Sequence, residues 1–265
     1  MKLAIGIINR NLPNMTNQLV ERICHLGDTF VLENGSDKGK YSKYANICVE
    51  ESNGLAWGVN HILQHCIALD YEYVWINYND VNVHDPDGFV KWSLNTMQQD
   101  PLAGITIVNW GSVWDVNGQK RGHTQWDGNS SGHLISFFDD LSFIVSKRAL
   151  EVISQFDGRL TPFFDSSNYT NHYSVLAPSL ALYSSGMSIV MNSEYTADEI
   201  REPAESDSTL ARGYDDEYWK EVKGPEDIDK WINSYFKELQ DLQISNKQKR
   251  DIIIQRIAGF AGAIT

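Results

Sequence analysis

The chain has 265 residues, 42% of them apolar and 22% charged, which is enough for one large domain with a sizeable core. Its 22 basic and 35 acidic residues leave a net charge of −13, which argues against nucleic acid as a partner, because binding phosphates needs a basic surface. Cys24, Cys48 and Cys66 are odd in number and well separated, with no CxxC, so they read as small core residues in a reducing compartment. The first apolar run stops at Asn9-Arg10-Asn11, too short for a signal peptide or a membrane span, so a cytoplasmic protein is expected.

In chain order, residues 3–8 form an apolar run that reads as a strand, followed by a helix opened by Pro13 and continuing to about residue 25. Residues 29–32 are a second strand, closed by the dense turn signal NGSDKG. Residues 47–49 are a third. After it Leu55, Val59, Ile62, Leu63, Cys66 and Leu69 recur at helical spacing. Residues 73–78 are a fourth strand, apolar enough to be buried on both faces, as in a parallel sheet. Asp85-Pro86 caps a helix over about 87–98, and residues 103–108 are a fifth strand. Such alternation implies a mostly parallel α/β sheet, whose ligands bind beyond the carboxyl ends of the strands. Asn9-Arg10, Glu33-Asn34 and Asn79-Asp80 all stand at those ends.

The middle, 110–132, lacks long periodicity and reads as a hairpin or irregular loops. Residues 135–145 read as a strand and 147–155 as a helix. Residues 197–217 are acidic and polar, the composition of a mobile loop, and two helices are expected at about 225–240 and 246–260. The last of these pairs Lys247, Lys249, Arg250 and Arg256 with Ile252, Ile253, Ile257 and Phe260. Packing on the domain is its default use, with peripheral contact to an anionic membrane as the alternative.

Three stretches, NGSD after the second strand, NGLAWGVN before the long helix and INYNDVNVHDPD after the fourth strand, resemble the family 2-type glycosyltransferases of the GT-A fold. The later SKRALEVISQFDGRLTPFFDSSN is similar to the segment leading to that family's acidic motif. The likeness covers roughly 1–173, with an echo in YWKEVKG. It implies a GT-A, Rossmann-like α/β fold with a mostly parallel central sheet flanked by helices. A domain over 1–224 would divide into a nucleotide-sugar half (1–108) and an irregular acceptor-side half (109–224), with a C-terminal helical extension over 225–265. The implied activity is transfer of a sugar from a nucleotide-diphosphate donor to a hydroxyl of a saccharide or glycan acceptor, a hexosyltransferase-type reaction. UDP is favoured for the donor, with GDP or dTDP as alternatives.

The chemistry accounts for the residue types. Negative charge grows on the leaving diphosphate, so a divalent cation, Mn²⁺ or Mg²⁺, would stabilise the transition state. Such hard ions take oxygen ligands, one or two from protein and the rest from phosphate and water. Asp80 and Asn82 lie two apart and would face one way in an extended chain. The family pattern has Asp at both places, so Asn82 leaves Asp80 to bind alone or with amide help. A turn capped by Asp80 is the structural alternative. The resemblance places Glu33 where an Asp meets the base, sets Asn9 and Arg10 beside the nucleotide, and brings Asn34, Asn53, Asn60 and Asn79 near the donor. Gly54 and Gly58 would allow close approach. Asn53 could equally be an N-cap of the long helix.

An inverting transfer needs a base at the acceptor hydroxyl. The family segment usually reads Glu-Asp and then a further Asp, whereas this chain reads Phe164-Asp165-Ser166-Ser167-Asn168 and keeps one carboxylate. Asp165 is the candidate base. Asp139 and Asp140 are rivals, since a carboxylate pair entering an apolar strand is costly unless used or capped. His172 is a further candidate metal ligand, although a packing role is the plainer account.

Other signals are set aside. His61 and His65 stand at i, i+4 without the glutamate of a zinc-protease helix. GNSSG matches a nucleophile elbow but lacks the preceding strand and following helix. Trp110, Trp114 and Trp126 could stack an acceptor sugar or fill a core. Two rival functions stay open: a sugar nucleotidyltransferase, for which INRNLPN lacks the Gly-rich loop, and a non-catalytic carbohydrate- or nucleotide-binding module, favoured by the carboxylates missing at Asn82, Ser166 and Asn168.

Overall fold

The computed structural model describes residues 2–52, 54–109, 112–114, 120–122, 133–134, 141–155, 163 and 175–200. Strand β1 (Leu3–Asn9) is buried along its whole length, as its unbroken apolar run requires. Helix α1 (Pro13–Ile23) follows, with Pro at its first turn, where a missing N–H costs nothing. Strands β2 (Asp28–Asn34) and β3 (Ile47–Val49) come next, then helix α2 (Leu55–Ala68) and strand β4 (Tyr73–Asn77). A short strand β5 (Val81–Val83) leads to α3 (Pro86–Gln99), where Asp85 accepts the Gly88 N–H at 2.9 Å and caps the helix as expected. Strand β6 (Ala103–Asn109) precedes the irregular middle. There β7 (Ser112–Trp114) and β8 (Lys120–Gly122) pair antiparallel, the anticipated hairpin arrangement. Strands β9 (His133–Leu134) and β10 (Ser142–Ser146), helices α4 (Lys147–Gln155) and α5 (Leu176–Ser184), and strand β11 (Ser188–Glu199) complete the described chain.

The main sheet runs β3-β2-β1-β4-β10-β6-β11-β5, with β9 on β11. The first four strands are parallel, β10 is inserted antiparallel between β4 and β6, and β6 pairs parallel with β11. The α/β sheet with flanking helices agrees with the expected fold class.

Strand order locates the site. From β1 the chain moves outward to β2 and β3, then returns across the sheet to place β4 on the other side of β1. Right-handed crossovers in opposite directions put α1 and α2 on opposite faces. The carboxyl ends of β1 and β4 therefore flank a topological switch point, where a crevice opens between diverging loops.

The core joins the sheet to its helices. Trp75 on β4 is fully buried; its indole N–H donates to Ser142 Oγ on β10 at 3.0 Å and its ring meets Phe89 of α3 edge-on at 6.0 Å. The residue opposite Trp75 in β10 is Ile144, so Ser142 lies two positions along on the same face.

Two sequence expectations are corrected. Only Cys66 is a core thiol, pushed up to about 12 by burial, whereas Cys24 and Cys48 are exposed. Residues 197–199 are not loop but the end of β11, held antiparallel against β5. Residues 81–83 are the strand that receives them. Residues 135–140, the GNSSG segment and the helices expected at 225–240 and 246–260 lie outside the described residues. Among the described residues no helix is long and apolar enough to cross a membrane.

Candidate active site at the strand ends

Asn9, the last residue of β1, is fully buried and stands beside Glu33 of β2 in the parallel register. Its amide donates to both Glu33 oxygens, at 3.0 and 2.8 Å, and to the Lys40 carbonyl at 3.2 Å. This fixes the amide's polarity. Its carbonyl Oδ1 must face the other way, where it accepts from the Leu12 N–H at 3.1 Å, the Thr16 hydroxyl at 3.0 Å and the Asn79 amide at 3.4 Å. Asn79 also donates to Thr16 Oγ1 at 3.1 Å. The ends of β1 and β2 and the segment after β4 are thus joined by one hydrogen-bonded chain. The convergence expected from sequence is a physical contact.

Glu33 is fully buried and both its oxygens are engaged within the protein. Besides Asn9, it accepts from Ser36 Oγ at 2.6 Å and the Ser42 N–H at 2.7 Å. Ser36 and Ser42 are buried while residues 37–41 between them are exposed, so one carboxylate closes the base of a surface loop. Asn11, at a left-handed φ of 61°, completes the clasp. It donates its backbone N–H to Ser36 Oγ at 3.1 Å and its amide to Asp37 Oδ2 at 3.1 Å, and it accepts the Asp37 N–H at 2.8 Å.

Asn34 is buried at the end of β2 and its amide donates to the Gly54 carbonyl at 3.0 Å, tying the strand to the start of α2. Its own carbonyl oxygen has no hydrogen-bond partner among the described residues. Gly35, next in the chain, has φ +70°, and a Cβ there would sit 2.3 Å from the Ser52 nitrogen, so only glycine fits. Gly58 faces the same strand end: a Cβ there would lie 3.3 Å from the Asn34 amide nitrogen. Asn60 is buried on α2, and Arg10 is half-buried just past β1. The first turn of α2 carries no side-chain cap from the described residues, and its amides form the positive end of the helix dipole.

Asp80 is half-buried in a turn closed by Val81 N–H donating to the Tyr78 carbonyl at 3.1 Å. Asn82 lies in β5. The pair is not continuous extended chain, so spacing by two does not by itself align the side chains; the turn decides where Asp80 points. The Asp80 carbonyl accepts the Ile200 N–H at 2.6 Å, pinning this turn to the end of β11. Asp198 stands directly opposite Asn82 across the β5–β11 pair. His84 bridges the two strands, with Nδ1 on Thr196 Oγ1 at 2.8 Å and Nε2 on Asp198 Oδ2 at 2.5 Å. The sequence reading missed both Asp198 and Thr196. The only local sign was the β-branched run at the start of β11, which nothing in the sequence connects with residues 81–83.

Among the described residues no three His, Cys, Asp or Glu side chains gather as metal ligands. By residue type, Asp80 at the turn and Asn82 in the adjoining strand both offer oxygen, as carboxylate and amide. That fits Mg²⁺ or Mn²⁺, which accept one or two protein oxygens and complete their shell with phosphate and water. It does not fit a closed structural site. His61 stacks on Trp57 at 4.9 Å and His65 meets Phe30 edge-on at 5.0 Å, so both rings are packed against aromatics. Burial, with His65 nearby, lowers the His61 pKa. Asp165, Asp140, His172 and Asn53 lie outside the described residues.

The fold is of the GT-A, Rossmann-like type. A crystal structure of GalNAc-T7 with UDP, GalNAc and Mn²⁺ superposes with a TM-score of 0.58 at 10% identity, covering 76% of this chain and 44% of that one. The chain thus spans less than half the length of that protein. A mannose-1-phosphate geranyltransferase from Thermus thermophilus superposes with a TM-score of 0.51 at 10% identity, over 75% of this chain and 76% of its own. At such identity the likeness is one of fold. No protein-family model and no curated protein matches the sequence.

Proposed function

We propose that the protein is a glycosyltransferase that moves a sugar from a nucleotide-diphosphate donor to a hydroxyl of a saccharide or glycan acceptor. The observation that carries this reading is the hydrogen-bonded chain from Glu33 through Asn9 to Asn79, which ends beside the half-buried Asp80 at the switch point of the sheet. A buried polar network with no role would be costly, and an apolar strand end would serve the fold as well. Here the network fixes the backbone around the place where α/β sheets take their ligands.

In this reading the loop 36–42 and the end of β1 flank the nucleoside, and the first turn of α2 favours the negative diphosphate. Mn²⁺ or Mg²⁺, held by Asp80 with Asn82 in support, would supply positive charge against the leaving diphosphate. The proposed base is Asp165, with Asp140 as its rival, taking the proton from the acceptor hydroxyl so that the anomeric centre inverts. UDP remains the first donor to try, with GDP and dTDP next.

The test is release of nucleoside diphosphate from a panel of nucleotide-sugars, with Mn²⁺ and with EDTA. Metal-dependent release from one donor class, faster when a saccharide acceptor is present, is the expected result. Tight donor binding without any release would instead define a binding module. Release of pyrophosphate from a nucleoside triphosphate and a sugar phosphate would define a nucleotidyltransferase.

A further inference from the structure

We propose that Glu33 is a positioning residue, which clasps the loop 36–42 and, through Asn9, sets the turn that carries Asp80, so that the loop rather than the Glu33 carboxylate meets the base. The inference rests on the nucleotide-binding reading above. Both oxygens of Glu33 already accept hydrogen bonds, from Asn9, Ser36 and Ser42, and the residue is fully buried. To reach a base it would have to release the donors that hold the end of β1 and both ends of the loop 36–42.

The clasp is built for a carboxylate. All four bonds run toward Glu33, and a glutamine offers one acceptor oxygen and places an N–H₂ where only donors face it. The consequences spread in two directions. Toward the loop, Ser36 and Ser42 are the buried ends of the exposed stretch 37–41, and losing their common acceptor frees both. Toward the reacting end, Asn9 would no longer be held amide-to-carboxylate. A flip of its amide would turn an N–H₂ toward the Leu12 N–H and the Asn79 amide, where donors now meet an acceptor. Asn79 is adjacent to Asp80. One carboxylate therefore sets the nucleoside side and the diphosphate side together.

The experiment compares wild-type protein with Glu33→Gln, using calorimetric binding of UDP, GDP and dTDP, and of inorganic pyrophosphate, each with Mg²⁺. Pyrophosphate has no base, so a direct base reader leaves its affinity untouched. The expected result is a loss of about ten- to a hundredfold for the preferred nucleotide with the base ranking unchanged, and a parallel loss for pyrophosphate. Should Glu33→Gln not fold, Ser36→Ala removes one donor to the clasp and is expected to weaken nucleotide binding about tenfold, again without changing the base ranking. Changed base ranking with intact pyrophosphate binding overturns the proposal in favour of direct base reading. A lowered unfolding midpoint with unchanged affinities overturns it in favour of a purely structural role, as does unaltered nucleotide binding by Ser36→Ala. If wild-type protein binds none of the probes, the nucleotide-binding reading fails and this inference with it. If wild type binds and Glu33→Gln binds equally well, this inference fails alone.

Discussion

Replacing Asp80 by alanine is expected to reduce transfer by about a thousandfold, on the order of 4 kcal/mol of lost transition-state stabilisation, with the fold intact. The size follows from where charge develops. In the proposed transfer the leaving oxygen would become anionic as its bond to the anomeric carbon breaks, and Asp80 would hold a cation that supplies positive charge there. The fold should survive because Asp80 is only half-buried and its bond to the Ile200 N–H comes from the main chain, which alanine keeps. Asp80→Asn is expected to recover only a small part, since an amide oxygen can still ligate but brings no negative charge to a divalent ion that Asn82 already meets with a neutral amide. Kinetics over a Mn²⁺ titration, with circular dichroism as the check on folding, decide the matter. Full turnover by Asp80→Ala and resistance of the wild type to EDTA would remove the metal role.

The largest effect on stability is expected at Trp75. Trp75→Ala should cost about 3–5 kcal/mol, enough to lower the unfolding midpoint by roughly 10 °C. The indole is fully buried where β4, β10 and α3 meet, so its removal opens a cavity at a junction that cannot collapse without moving strands. It also leaves Ser142 without the indole donor. Trp75→Phe, which keeps much of the volume and loses the hydrogen bond, should cost about 1–2 kcal/mol. Urea unfolding followed by circular dichroism measures both. Equal midpoints for Trp75→Ala and wild type would mean that the packing described for β4 is wrong.

Much of the fold was legible because its signals are local. The apolar runs of β1 and β4, Pro13 opening α1, the helical spacing of α2 and the Asp85 cap of α3 each determine a neighbourhood of a few residues, and each is found where the sequence puts it. Order across the sheet was not legible. Nothing in residues 142–146 says that they lie antiparallel between β4 and β6. The β5–β11 pair was missed for the same reason. It joins two short segments more than a hundred residues apart, and the acidic tail of β11 has the composition of a loop.

At the site, residue type proved more legible than residue role. Asn9, Glu33 and Asn79 were singled out because they stand at the carboxyl ends of strands, where α/β sheets take their ligands, and their side chains do meet there. That Glu33 finds all of its partners within the protein could not be read, because one of them is the backbone N–H of Ser42 and another depends on which way the Asn9 amide turns. The exposed positions of Cys24 and Cys48 were missed because cysteine's usual burial is a tendency of the residue type, which strand edges and helix ends override.

The central claim is that the strand ends hold a nucleoside diphosphate, and its most direct measurement is the unfolding midpoint of the wild-type chain against UDP, GDP, dTDP and ADP, each with and without Mn²⁺. A ligand at a hundredfold excess over its Kd adds about 2.7 kcal/mol to the folded state, a shift of several degrees. The account predicts such a shift for one base class, enlarged by Mn²⁺ in the wild type and not in Asp80→Ala. No shift with any diphosphate at millimolar concentration, with or without the metal, would contradict it.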